Sequence, residues 1–326
     1  VKRVLITGGA GFIGSNLTDA YLAKGIEVVA IDDLSTGKEE NLEAALKNPR
    51  FQLVVGDIRD DAVVSDLVRD CDAVIHLAAR IGVQLIIESP LKTLEANVDG
   101  TQAILRHASK HRRKVLVAST SEVYGLSTSI PSREDGPIAF GAPTTGRWSY
   151  ACSKAYDEFL ALAHHRENGL QTLVVRLFNT VGPRQTGRYG MVVPRFVRQA
   201  LNDEPLTVYG DGSQTRCFCH VDDVTGALMR LAQDPKAVGE VFNIGNPQEV
   251  RVLDLAKRVI ELSNSSSAIS FVPFDRAYGA GFEEIMRRVP DISKARERIG
   301  FAPSRSLDDV LRDVIAERTA SEALAA

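Results

Sequence analysis

Covalent and membrane anchors are scarce in this sequence. Four cysteines stand at 71, 152, 217 and 219 of 326 residues, too few and too scattered for a disulfide framework. The run Cys217-Phe218-Cys219-His220 suits no common zinc site, so it reads as strand alternation and no metal is expected. No apolar stretch approaches the roughly 20 residues of a membrane span. Neither sign of charge dominates: 39 Lys and Arg against 42 Asp and Glu leave −3, which gives no basic field for nucleic acid. There is no internal repeat, and no leader pattern precedes the first strand, so a cytoplasmic location is expected. What remains is a chain that is 44% hydrophobic, ample for one large core or two modest ones.

The most informative stretch comes first. Val4-Leu5-Ile6 enters Thr7-Gly8-Gly9-Ala10-Gly11-Phe12-Ile13-Gly14, a helical pattern runs from Ser15 to Lys24, and Val28-Val29-Ala30-Ile31 ends in Asp32. Strand, glycine turn, helix, strand and acid in that order form a dinucleotide signature. Gly8 permits the turn, Gly11 lets backbone approach a pyrophosphate, and Gly14 lets helix pack on strand. The phosphate would sit on the helix N-terminus. Asp32 would bind the adenosine ribose hydroxyls and repel a 2′-phosphate, so NAD is expected rather than NADP.

Further β-α units follow: strands at Phe51–Val55, Ala73–His76, Val115–Ala118 and Thr172–Val175, with helices at about 61–69, 90–110 and 149–167. Such alternation predicts an α/β fold, a Rossmann-type doubly wound parallel sheet. Its ligands would lie beyond the strand ends, at Gly8–Gly14, Asp32, Asp57-Ile58, Leu77-Ala78-Ala79, Ser119–Glu122 and Phe178-Asn179. From about Asn179 segments shorten, and strands at Leu206–Tyr209, Gln214–Cys219 and Val241–Ile244 suggest a smaller mixed α/β C-terminal portion. The expected division is 1–178 for the dinucleotide and 179–326 for a second substrate, with the chain free to cross between them.

Tyr150-Ala151-Cys152-Ser153-Lys154 opens the long helix, and a spacing of four puts Tyr150 and Lys154 on one face. A lysine ammonium near a phenol, together with the positive nicotinamide ring, lowers the phenol pKa, so Tyr150 is expected to act as a base near neutral pH. Lys154 would also hold the nicotinamide ribose. The hydroxyls Ser119, Thr120 and Ser121 end the preceding strand.

These segments, with Gly56-Asp57, His76–Ala79, Asn97, Ala118–Gly125, Asn179–Arg184 and Glu204–Arg216, resemble the NAD-dependent nucleotide-sugar epimerase/dehydratase/decarboxylase family of extended short-chain dehydrogenases. The resemblance spans nearly the whole chain. It implies that Asp33, Leu34, Ser35, Thr36 and Gly37 lie beside the adenosine, and that Phe12, Ile13, Asn97 and Ala118 also serve the cofactor. Thr120 would bond the reacting sugar oxygen while Tyr150 takes the 4-OH proton, with Ser121 and Glu122 beside them. Asn179 and Arg216, with Arg287 of the Arg287-Arg288 pair, would hold a diphosphate. Arg80, Thr180, Val193, Thr207, Tyr209 and Gln214 would complete a UDP-sugar site, with the Met191–Phe196 and Leu206–Tyr209 segments flanking the uracil. NAD would be retained and recycled, and a homodimer would form through the 90–110 and 149–167 helices.

The branch is less sharply marked. Ser121 stands where family dehydratases carry Asp. Thr120-Ser121-Glu122 is identical to the triplet of UDP-glucuronate decarboxylases, and Arg147–Tyr150 and Tyr278–Pro290 resemble that branch too. Gln185–Gly190 looks closer to epimerases of uronic sugars, where Arg188 would meet a C6 carboxylate. The expectation is therefore a UDP-sugar 4-epimerase acting on UDP-glucuronate/UDP-galacturonate or UDP-glucose, with UDP-glucuronate decarboxylase as the alternative. A catalytically silent NAD-binding protein is a third reading, opposed by the presence of Thr120, Tyr150 and Lys154.

Overall fold

A computed structural model describes residues 1–82, 89–187, 191–278 and 283–325. Seven strands form one sheet in which every neighbouring pair is parallel. Six of them arrive in the first 177 residues: β1 (Arg3–Thr7), β2 (Glu27–Asp32), β3 (Phe51–Val55), β4 (Ala73–His76), β5 (Lys114–Thr120) and β6 (Thr172–Leu177). The spatial order is 3-2-1-4-5-6 followed by Val241–Ile244, which pairs along β6. The order reverses between β1 and β4, so the strand ends there open a crevice.

Both faces of the sheet are buried, as runs of Val, Ile and Leu require. Successive side chains point to opposite faces. Val4 and Ile6 pack with Leu17, Tyr21 and Leu228 on one side. Leu5 packs with Val64, Ile104 and Leu105 on the other. A third core joins Phe196, Val208, Leu255 and Leu311 in the later part of the chain.

Side-chain hydrogen bonds and glycine geometry decide where these elements begin and end. The first helix is Phe12–Ala23, starting three residues before the expected Ser15, because Gly14 can stand in its first turn. The Asp61–Arg69 helix keeps its expected bounds, capped by Asp60, which accepts from the Ala62 and Val63 amides. Trp148–Asn168 ends where Gly169 takes φ 67°.

Two expectations about the second half are corrected. Val241–Ile244 belongs to the main sheet rather than to the smaller portion. Gln214–Cys219 is not one strand: Thr215–Cys217 pairs antiparallel with Glu249–Arg251, and Cys219–His220 pairs parallel with Thr180–Val181. Arg216, Cys217, Phe218 and Cys219 are all buried, so no solvent face is left for alternation. Among the described residues no helix is long and apolar enough to cross a membrane.

Candidate active site

A cavity of about 490 Å³ runs along the sheet crossover and over the end of β5. At one end lies the glycine turn. Gly8 sits at φ 70°, and a Cβ there would fall 2.9 Å from the Ala78 backbone. A Cβ on Gly14 would fall 2.1 Å from the Gly8 carbonyl oxygen. Only glycine allows this closeness. The helix behind starts at Phe12 with no side chain capping its first N–H groups, the arrangement that receives a phosphate. Asp32, buried at the end of β2, accepts from the Ala10 and Leu34 amides at 2.9 Å each. Burial pushes its carboxyl up against the pull of those amides. Cradle and acid together fit an adenine dinucleotide.

Of the predicted cofactor residues, Gly8, Gly11, Phe12, Ile13, Gly14, Asp32, Asp33, Ser35, Thr36, Asp57, Ile58, Leu77, Ala78, Ala79 and Ala118 line this cavity. Three do not. Leu34 takes φ 57° and turns its amide to Asp32. Gly37 packs behind, where a Cβ would lie 2.9 Å from the Asp32 carboxylate. Asn97 is one layer back, its Oδ1 accepting from the Arg80 amide at 2.8 Å.

Beyond the dinucleotide end stand Thr120, Ser121, Glu122, Tyr150 and Lys154, all on the cavity wall. Thr120 is the last residue of β5, and its Oγ1 accepts from the Glu122 amide at 3.2 Å, fixing the turn into the Ser121–Tyr124 segment. Burial and the Glu122 charge push Tyr150 well above the ordinary phenol range, and the Thr120 hydroxyl pulls only partly the other way. Lys154 Nζ, one of the two positive charges expected to lower the phenol, is engaged by Asp157 Oδ2 at 2.8 Å. A base near neutral pH therefore needs a further positive charge beside Tyr150, as a nicotinamide ring would bring.

Glu122 is the electrostatic centre of the far end of the cavity. Arg288 Nη1 donates to its Oε1 and lies 3.3 Å from Ser121 Oγ, while Arg147 Nη2 is 3.2 Å from its Oε2. Burial would push Glu122 up, but the two guanidiniums prevail and hold it at about 2. Arg216, nearby, donates to Glu284 Oε1 at 2.6 Å and to the Ile285 carbonyl at 2.8 Å.

Arg80, Asn179, Thr180, Val193, Tyr209, Gln214 and Arg216 also line the cavity. Thr207 does not, because its hydroxyl turns to Gln199. Arg287 is replaced by its neighbour: it points outward to Glu249 at 2.5 Å, and Arg288 faces the cavity instead. Arg188 lies outside the described residues. Arg195 lies in the segment expected to flank the uracil, whereas Arg147, Tyr278 and Glu284 were not among the expected site residues. Arg195 stacks 4.0 Å over the Tyr209 ring, which meets Tyr278 edge-on at 5.2 Å, an aromatic wall suited to a base. The position of Arg147 just before Trp148-Ser149-Tyr150 was its one available signal; Tyr278 and Glu284 sit on segments without periodicity.

The sequence pattern of the GDP-mannose 4,6 dehydratase family matches residues 5–314. A UDP-N-acetyl-alpha-D-glucosaminuronate decarboxylase from Bacillus cytotoxicus is 42% identical over 96% of this chain and 97% of its own length. UDP-glucuronic acid decarboxylase 1 of Arabidopsis thaliana is 38% identical over 97% of this chain and 69% of its own. Among solved structures, a UDP-glucuronic acid 4-epimerase from Bacillus cereus in complex with UDP-glucuronic acid and NAD superposes with a TM-score of 0.89. It is 30% identical and covers 98% of this chain and 99% of that one. The chain belongs to the GDP-mannose 4,6 dehydratase family and is an enzyme of the NAD-dependent nucleotide-sugar epimerase/dehydratase group.

Proposed function

We propose that this protein is an NAD-dependent decarboxylase of UDP-linked hexuronic acids, with or without a 2-acetamido group. One observation carries the reading. Beside Tyr150, an ionised Glu122 is clamped between Arg288 and Arg147, with Ser121 against Arg288. This cluster is built from the triplet that resembles the decarboxylase branch, and the curated relatives named above are decarboxylases. Those relatives favour the alternative over 4-epimerisation, toward which the motifs alone leaned.

Gly8 to Gly14 and Asp32 would hold NAD, with Lys154 at the nicotinamide ribose. Bound NAD would take hydride from C4 and return it at the end of the turnover, so retention through purification is expected. Tyr150 removes the O4 proton and Thr120 steadies that oxygen. Oxidation leaves a 4-keto uronic acid, a β-keto acid that loses CO2 when its C5–carboxylate bond aligns with the carbonyl π system. The bonding pair passes to O4 as an enolate, and C5 takes a proton from water before hydride returns to C4. Ser121 and the guanidiniums around Glu122 would set that alignment, because a planar fork fixes the plane of a carboxylate. The diphosphate would meet Arg216 once Glu284 swings aside, and the uracil would lie by Val193 and Tyr209.

Incubation with UDP-glucuronate and UDP-N-acetylglucosaminuronate should release CO2 and a UDP-pentose from at least one of them. A C4 epimer with no CO2 would establish the second reading, 4-epimerisation, which the Bacillus cereus structure supports. Pairing of two copies is proposed through the Pro90–His111 and Trp148–Asn168 helices, which expose Leu91, Tyr156 and Phe159.

A further inference from the structure

Beneath the catalytic helix lies a line of buried polar groups that the reaction above does not use. Thr7 Oγ1, at the end of β1, accepts from the Leu77 and Ala78 amides at 3.2 and 3.1 Å. It bonds His76 Nδ1 at 2.8 Å. His76 Nε2 bonds Thr101 Oγ1 at 3.0 Å. Next along the line is the Asp157 carboxylate, whose pKa burial raises and the Thr101 hydroxyl lowers. Its Oδ1 has no hydrogen-bond partner among the described residues, and its Oδ2 accepts from Lys154 Nζ at 2.8 Å. Thr7, Thr101 and Asp157 are fully buried, and His76 and Lys154 nearly so.

The chain of bonds has one direction. Thr7 Oγ1 already accepts two amides, so its own hydrogen goes to His76 Nδ1. A neutral imidazole then carries its proton on Nε2 and gives it to Thr101. Thr101 in turn has its hydrogen free for Asp157. Burial, and then the Lys154 charge, hold His76 at about 3, so the ring stays neutral and its tautomer stays fixed.

We propose that Asp157 is a positioning residue: with Thr101 and His76 it ties the Lys154 ammonium to the strand ends that carry the dinucleotide turn. The sheet crossover and the catalytic lysine are thereby held in one register. The inference rests on the proposed role of Lys154, so its test reads binding as well as turnover.

Thr101→Val keeps volume and removes only the hydroxyl, whereas Thr101→Ser restores it. A loosened lysine should weaken NAD binding by calorimetry, and lower kcat, by about tenfold each, the order expected for one hydrogen bond. UDP affinity and the KM for the UDP-sugar should stay within about twofold, because Arg216 and the aromatic wall are untouched. Thr101→Ser should recover both losses, and the ¹⁵N spectrum of His76 should report an Nε2–H tautomer in the wild type. NAD affinity and kcat within twofold of wild type in Thr101→Val would overturn the proposal. So would an equal loss of UDP affinity, which marks a merely structural role. If Thr101→Val does not fold, Asp157→Asn carries the same comparison. A wild type that releases no CO2 while the NAD-affinity pattern holds would refute the decarboxylase reading and leave this one standing.

Discussion

At the scale of single residues, the site works by forcing charges into company. Glu122 has an ordinary value of 4.5 and is held at about 2. Its folded pKa is depressed, so its contribution to stability is present above 4.5 and is lost as pH falls toward 2. His76 is depressed from 6.5 to about 3. The unfolded chain therefore takes up a proton that the folded one refuses, and stability falls as pH drops through that window. The difference in urea midpoint between wild type and His76→Gln should narrow steadily from pH 6.5 downward; a constant gap would refute this. Tyr150→Phe should abolish turnover and leave NAD bound, checked by product assay and cofactor absorbance. Arg288→Ala should cut CO2 release at least a hundredfold, while Arg287→Ala, which breaks only an exposed pair with Glu249, should leave it within twofold. The resemblance put Arg287 in the site, and nothing local in the sequence pointed to Arg288 instead. Their segment has no helical or strand period to say which one faces inward.

At the scale of elements, the Rossmann half was legible because its signals are local. The alternation of apolar runs, the glycine turn and the acid closing β2 all lie within a few residues of what they determine. Val241–Ile244 was legible as a strand but not as a member of the main sheet, because its pairing with β6 spans some 67 residues between Val174 and Val241. The last helix, Leu307–Ala325, shows how distant parts are joined. Val310, Leu311 and Val314 are buried against the third core, and Glu317 accepts from the Arg184 amide at 2.5 Å. Leu311→Ala should cost about 2–5 kcal/mol of stability by urea denaturation, the usual range for a buried leucine.

At the scale of the whole molecule, two surfaces matter most. Phe159 is 62% exposed and Leu91 65%, on helices that pack side by side. Phe159→Glu should turn the proposed dimer into a monomer by sedimentation, and an unchanged mass would remove that face from assembly. The other surface is the edge that Val241–Ile244 covers. The chain leaves β6, contributes Asn179, Tyr209 and Arg216 to the cavity, and only then returns to cover β6, so the order of synthesis matters. While the intervening residues emerge from a ribosome, β6 has one bare flank of unpaired amides and carbonyls, an invitation to strand addition from a neighbour. A nascent chain halted near residue 240 should therefore be held by chaperones or aggregate, whereas one extended past Ile244 can close its own sheet. Tyr278, Glu284 and Arg288, which complete the cavity wall, are made only after the sheet has closed.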